Sequence, residues 1–214
     1  MTATSFTKPL CVLFLCVLPA VADAGRPLLV DDAATNASGH GHIESWYDTQ
    51  ERTFNVAPAF APIDDLEIGA AYAKSNASGE TAYSLQVKKL FTSPQDNGCN
   101  TGGTLGRSSV QNDSNYTLYG WGILSCHSPQ WGTVHLNVGL IKERDFTSKQ
   151  LAGVAFEYPL DNFTPHAEWT PLEGEKSVRA IGARTELLKD VQLDGSYRIQ
   201  DKTNYWTLGV KWQF

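Results

Sequence analysis

From about residue 41 to the C-terminus, apolar and polar residues take turns. Val191, Leu193, Tyr197 and Ile199 alternate with Gln192, Asp194, Ser196, Arg198 and Gln200. Val134, Leu136, Val138 and Leu140 alternate with Thr133, His135, Asn137 and Gly139. Around Phe163 the split is Phe163, Pro165, Ala167 and Trp169 against Thr164, His166, Glu168 and Thr170. A period of two belongs to a β-strand with two unlike faces, and no helical period competes with it. Turn clusters break the pattern at Ile63-Asp64-Asp65, at Ser75 to Gly79, at Gln111 to Asn115 and at Leu172 to Glu175. The pattern predicts twelve strands, near 41–49, 52–61, 65–74, 80–91, 99–109, 116–126, 131–143, 150–160, 163–171, 177–187, 190–200 and 203–214. Gly-rich "TGGTLG" and "YGWG" blur the alternation in the fifth and sixth.

Two architectures accept such strands, a soluble sandwich and a closed barrel. In a membrane barrel the apolar face points out to lipid and the lumen is polar. The polar faces carry charge on nearly every strand, which suits either architecture. Three features favour the barrel. The strands are long enough to cross a bilayer when tilted. Trp46, Tyr47, Tyr158, Trp169, Trp206 and Trp212 fall near strand ends, as in an interfacial belt. The strand count is even, so both ends return to one side. The last strand, "YWTLGVKWQF", puts Trp206, Leu208, Val210, Trp212 and Phe214 on one face and Thr207, Gly209, Lys211 and Gln213 on the other. In lipid a bare strand edge is not tolerated, so this strand is expected to close against the first. The expected fold is an all-β, closed antiparallel transmembrane barrel of about twelve strands, with both termini periplasmic.

The first residues read differently. Lys8 precedes an apolar run, Leu10 to Ala20, and Ala22-Asp23-Ala24 fits a small-x-small cleavage site. Residues 1–24 are therefore expected to be a cleaved signal peptide. Residues 25–40 form a segment without strand pattern, and residues 41–214 form the barrel. Cys11 and Cys16 leave with the signal, so Cys99 and Cys126 remain as an even pair in an exported chain. If the hairpin turns between Asn112 and Asp113, the two face each other within bonding distance. The alternative is two thiols pointing to opposite sides. Composition adds exclusions. The net charge of −6 offers no basic patch for nucleic acid, and the mean hydropathy of −0.27 is too low for a helical membrane protein.

The start of the mature chain, Gly25-Arg26-Pro27-Leu28-Leu29-Val30-Asp31-Asp32-Ala33-Ala34-Thr35, followed by Gly39-His40-Gly41-His42-Ile43-Glu44, resembles the "RPL-x-x-DDA-x-T … G-x-x-E" opening of a proteobacterial outer-membrane family. That family is named for transport in the meta-pathway of phenol degradation. The resemblance extends loosely through Pro58-Ala59, "VQLDGS" and the terminal Phe214, with Val30 where the family often has Thr. It implies a channel-like barrel in the outer membrane of a Gram-negative bacterium, and carries no phenol substrate with it. The alternating aromatics that end in Phe214 also resemble the C-terminal signal read by the outer-membrane insertion machinery. That likeness implies Trp206, Leu208, Val210, Trp212 and Phe214 as the signal.

Candidate chemistry follows from the faces. Glu44, Glu67, Lys88, His135, Glu157, His166, Glu168, Arg184, Glu186, Asp194, Arg198 and Lys211 are expected to line the lumen, either as salt-bridge ladders or along a conducting path. The small inward residues Gly69, Ala71, Gly139 and Gly182 are expected to leave space. Arg26, Asp31 and Asp32 are candidates to pair wall charges if residues 25–38 fold into the lumen; the alternative is a flexible leader. His42, His135 and His166 sit on strands spread around the wall, so no metal site is expected. The only adjacent Ser–His pair is His127-Ser128, in a turn, and no enzyme, catalytic residue or cofactor is expected. The expected role is a channel or pore for small solutes, with a non-conducting structural or partner-binding barrel as the alternative and a lipid-modifying enzyme behind it. Expected partners are outer-membrane lipid, the insertion machinery and a small solute.

Overall fold

The structure, a computed structural model, describes residues 28–214 apart from positions 94, 96 and 145. The expected signal peptide and Arg26 lie outside the described residues. The strands are β1 (Gly41–Asp48), β2 (Thr53–Ile63), β3 (Leu66–Ser75), β4 (Thr81–Leu90), β5 (Gly98–Val110), β6 (Tyr116–Ser128), β7 (Gly132–Glu143), β8 (Lys149–Glu157), β9 (Phe163–Thr170), β10 (Val178–Leu188), β11 (Val191–Gln200) and β12 (Thr203–Gln213). Each pairs antiparallel with the next, and β12 closes on β1. Every expected strand is present, with ends moved by at most three residues. The largest shift is in β8, which stops at Glu157 because Pro159 has no N–H to continue the ladder. At the termini end the β2–β3 and β10–β11 turns are tight, and Asp65 and Asp190 take the left-handed backbone those reversals need. No helix among the described residues is long and apolar enough to cross a membrane.

The barrel is inside-out relative to a soluble protein. Leu85 is 67% exposed, Leu105 72% and Val138 71%, all pointing outward. Glu44 is 0% exposed and Lys88 1%, both pointing inward. A monomer in water does not expose an apolar surface that encircles it, whereas lipid requires one. Strands of about ten residues, tilted, cover roughly 25 Å, the height of a bilayer's apolar band. Tyr47, Trp169 and Trp206 are exposed toward the far end, and Tyr158 and Trp212 toward the termini end. Trp46 does not join them. Its neighbour Tyr47 takes the outward position, so Trp46 points inward and packs on Ala57 and Ala71, 8% exposed.

Trp46 belongs to a wider pattern. The small inward residues leave no open space, because a neighbouring side chain fills each one. A Cβ added to Gly139 would lie 2.5 Å from Trp121 Cβ, and one added to Gly182 would lie 2.6 Å from the His166 ring. Gln86 covers Gly69. The same pairing accounts for the blurred alternation in β5 and β6. Gly106 faces Tyr119, whose ring crosses it inside, and Gly120 faces Leu105, which crosses it outside.

Cys99 and Cys126 are register partners across β5 and β6 and are joined by a disulfide on the outer wall. The hairpin turns over residues 111–115, centred where the turn residues stand. The bond closes a loop of 27 residues in sequence. Chain entropy puts its effect at ~3 kcal/mol, while the β5–β6 ladder already fixes the register. Cys99→Ser with Cys126→Ser should therefore leave the barrel closed and lower its unfolding midpoint in a urea titration.

Candidate functional site: a lumen crossed by the N-terminal segment

Residues 28–38 lie inside the barrel, and the wall holds them by polar contacts from seven strands. Glu168 on β9 accepts the backbone N–H groups of Leu29 and of Val30, the latter at 3.0 Å. Asn137 on β7 clamps Asp31 from both sides. Its Oδ1 accepts the Asp31 N–H at 2.7 Å, and its Nδ2 donates to the Asp31 carbonyl at 2.9 Å. Ser125 Oγ on β6 accepts the Ala33 N–H at 2.7 Å. Glu67 on β3 accepts both the backbone N–H and the side-chain amide of Asn36, at 3.1 and 2.6 Å. The Asn36 amide also reaches His42 Nδ1 on β1 at 2.8 Å. The segment thus runs from β9 across the lumen to β1 and β3, and joins the wall where Gly39 N–H donates to Ala61 C=O.

The central anchor is electrostatic. Lys88 Nζ on β4 donates to Asp31 Oδ1 and to Asp32 Oδ1, each at 2.7 Å. Thr104 Oγ1 and Trp121 Nε1 donate to Asp31 Oδ2 at 2.8 and 3.1 Å. Desolvating a lysine costs several kcal/mol unless a counter-charge and hydrogen bonds replace its water, and the two aspartates supply both.

Apolar contacts add shape to this. Leu28 and Val30 pack on Ala155 of β8. A Cβ at Gly153 would lie 2.9 Å from Val30 Cγ2, so that glycine is the slot into which Val30 fits. Ala33 belongs to one buried apolar cluster with Leu90, Tyr119, Trp121, Ile123 and Ile141. Gly153→Leu fills the slot without touching a charge. It should lever out residues 28–30, seen as faster amide hydrogen exchange there and unchanged exchange at Asn36.

The remaining candidates complete the wall. Arg184 Nη1 lies 2.9 Å from Glu157, and Lys211 Nζ lies 3.3 Å from Glu44. Asp194 and Arg198 are buried on the inner face of β11. Glu186 stands exposed at the rim, where β10 ends. The three histidines stay apart, each with its own partners. His42 lies against Glu44, His135 against Glu157 and His166 against Ser196 and Glu168. Trp206, Leu208, Val210, Trp212 and Phe214 all face outward on the seam. There the Phe214 ring covers Gly41, and residues 41 and 214 exchange backbone hydrogen bonds at 2.9 Å.

Thr104, Trp121, Ser125, Asn36 and Asn137 are the contact residues that sequence reasoning missed. They are neutral, so charge does not flag them; inward parity on strands of known register does. The serines that meet histidines are Ser125, opposite His135, and Ser196, against His166, rather than Ser128 beside His127. His135 Nε2 faces the Glu157 carboxylate at 3.3 Å and so carries the proton, which leaves Nδ1 to accept from Ser125 Oγ at 2.7 Å. Ser125 is 0% exposed and bears the Ala33 N–H, so the relay holds the segment rather than presenting a nucleophile.

No protein-family model matches the chain, and no curated protein matches it. Solved structures do. The KdgM porin, determined in complex with disordered oligogalacturonate, superposes with a TM-score of 0.68 at 8% identity, over 82% of this chain and 99% of that one. The NanC porin gives 0.63 at 10% identity, over 80% and 98%. The Acinetobacter baumannii outer-membrane protein Omp33 gives 0.55 at 9%, over 82% and 97%. At these identities the likeness is one of architecture, and the chain has the closed barrel fold of these porins.

Proposed function

We propose that the protein is a channel for small solutes in the outer membrane of a Gram-negative bacterium, with both termini in the periplasm and residues 25–38 acting as a partial plug. The carrying observation is the way the lumen is closed. The segment across it is held by hydrogen bonds and one ion-pair cluster from seven strands, with apolar contact only at Leu28, Val30 and Ala33. The polar contacts are ones that water can replace when the segment leaves. Twelve strands also suit a gated lumen, between eight-stranded barrels filled by side chains and sixteen-stranded open porins. The N-terminal motif that resembles the meta-pathway transport family coincides with the residues that bind the wall. In this reading Asp31 and Asp32 of that motif are plug residues rather than substrate ligands. The outward aromatic face ending in Phe214 serves as the signal for the insertion machinery.

The wall pairs Arg184–Glu157 and Lys211–Glu44 favour a second reading, a non-conducting structural barrel. Single-channel recording of the purified mature protein in a planar bilayer separates the two. Steady unitary conductance supports the channel. A silent bilayer, both with and without residues 25–38 and with the protein shown to be folded and inserted, leaves the structural barrel.

A further inference from the structure

Lys88, Thr104 and Trp121 form one lateral row across the wall. Lys88 is the register partner of Thr104, and Thr104 is the partner of Trp121. The row is flanked by Glu67, the partner of Lys88, and by Gly139, the partner of Trp121, where a Cβ would collide with the Gly120 carbonyl and the Trp121 Cβ. The three donors therefore converge because the ladder puts them side by side, and the segment is not needed to assemble them. Together they engage both oxygens of one carboxylate, that of Asp31. Beside the row lies an apolar strip. The Tyr119 ring stacks on Trp121 at 5.1 Å, and Ile123, Ile141 and Leu90 continue it. Two residues past the carboxylate, Ala33 joins the same buried cluster as that strip.

We infer that this row is a carboxylate-binding subsite of the lumen, occupied by Asp31 as an internal ligand, and that its external ligands are small organic monocarboxylates with a compact apolar body. The inference rests on the reading of the segment as a plug. All three hydrogen bonds go to the carboxylate oxygens, so any carboxylate that reaches the cradle makes the same three. The apolar strip beside the row then selects for a hydrocarbon body. A tethered ligand competes at an effective concentration on the order of millimolar. External carboxylates therefore bind weakly to the intact protein, and their binding releases the Asp31 half of the segment's central anchor, leaving the Lys88–Asp32 pair.

The test uses butyrate, with butyramide as its uncharged counterpart, on the folded mature protein in detergent and in bilayers. Calorimetry should show saturable butyrate binding to Asp31→Ala at least tenfold tighter than to the unsubstituted protein. Thr104→Val added to Asp31→Ala should weaken it severalfold, and butyramide should not bind. Absence of saturable binding to folded Asp31→Ala, or equal binding of butyramide, overturns the subsite. High butyrate should also raise the conductance of the unsubstituted protein. If butyrate binds Asp31→Ala while conductance ignores both butyrate and deletion of residues 25–38, the plug reading fails and the subsite stands. If deletion opens the channel and butyrate binds nowhere, the plug stands and the subsite fails.

Discussion

Deletion of residues 25–38 should raise the single-channel conductance severalfold, with the barrel still closed. Polar side chains from β1, β3, β4, β5, β6, β7 and β9 reach the segment, so it obstructs the lumen from one wall to another. The barrel does not depend on it for closure. All twelve ladders, including the β1–β12 seam, run between strands that begin at Gly41. The freed wall groups, among them Glu168, Asn137, Ser125 and Glu67, are polar and take water in place of the peptide. The measurement is a comparison of unitary currents for the two forms, with heat-modified mobility on gels as the check of closure. Equal currents would mean that ions pass without meeting the segment, or that they do not pass at all.

Lys88→Met should be the most damaging single substitution in the lumen. It leaves Asp31 and Asp32 facing an uncharged side chain in a place built to exclude water. Removing one partner of a buried ion pair costs about 3–5 kcal/mol, because the other charge is stranded. The chain can escape that cost by releasing the segment. The variant should then conduct like the deletion and lose hydrogen-exchange protection over residues 28–38. Adding Asp31→Asn and Asp32→Asn removes the stranded charge and should restore much of the protection. A triple variant as open as Lys88→Met alone would show that Lys88 acts on the barrel wall and not through the aspartates. Lys88→Arg keeps the charge but needs more room, so it should fall between the two.

Much of this molecule could be read from residue order. A period of two, interrupted by Asp- and Asn-rich turns, set the twelve strands, and parity assigned Lys88, Glu44 and Glu168 to the inner face. Charge also drew attention to Asp31 and Asp32, yet sequence offered no way to choose Lys88 among the wall cations as their partner. That choice depends on how far the chain travels before it turns inward, and a segment without periodicity does not encode its path locally. Trp46 misled because an aromatic at a strand end resembles a belt residue; only strict alternation with Tyr47 turns it inward. The glycines misled for a related reason. A small residue suggests space, but Trp121 over Gly139 and His166 over Gly182 show that a neighbour one strand away claims it. The Ser125–His135 contact was hidden by the ten residues that separate its members in the chain.

The segment's C-terminal end runs into β1 and is fastened through Gly39 to Ala61 and through Ser38 to Asp64, while Leu28 lies across the lumen beside β8 and β9. In the plug reading it is a door hung on the β1–β3 side, with its bolt at Lys88 and its far edge at Glu168. Torque about such a hinge grows with distance from it. A push near Val30 therefore turns the door more easily than the same push at Asn36, and the edge swings clear before the hinge gives. In the proposed channel the gap should open first beside β8 and β9, and the first ions through should pass along that wall.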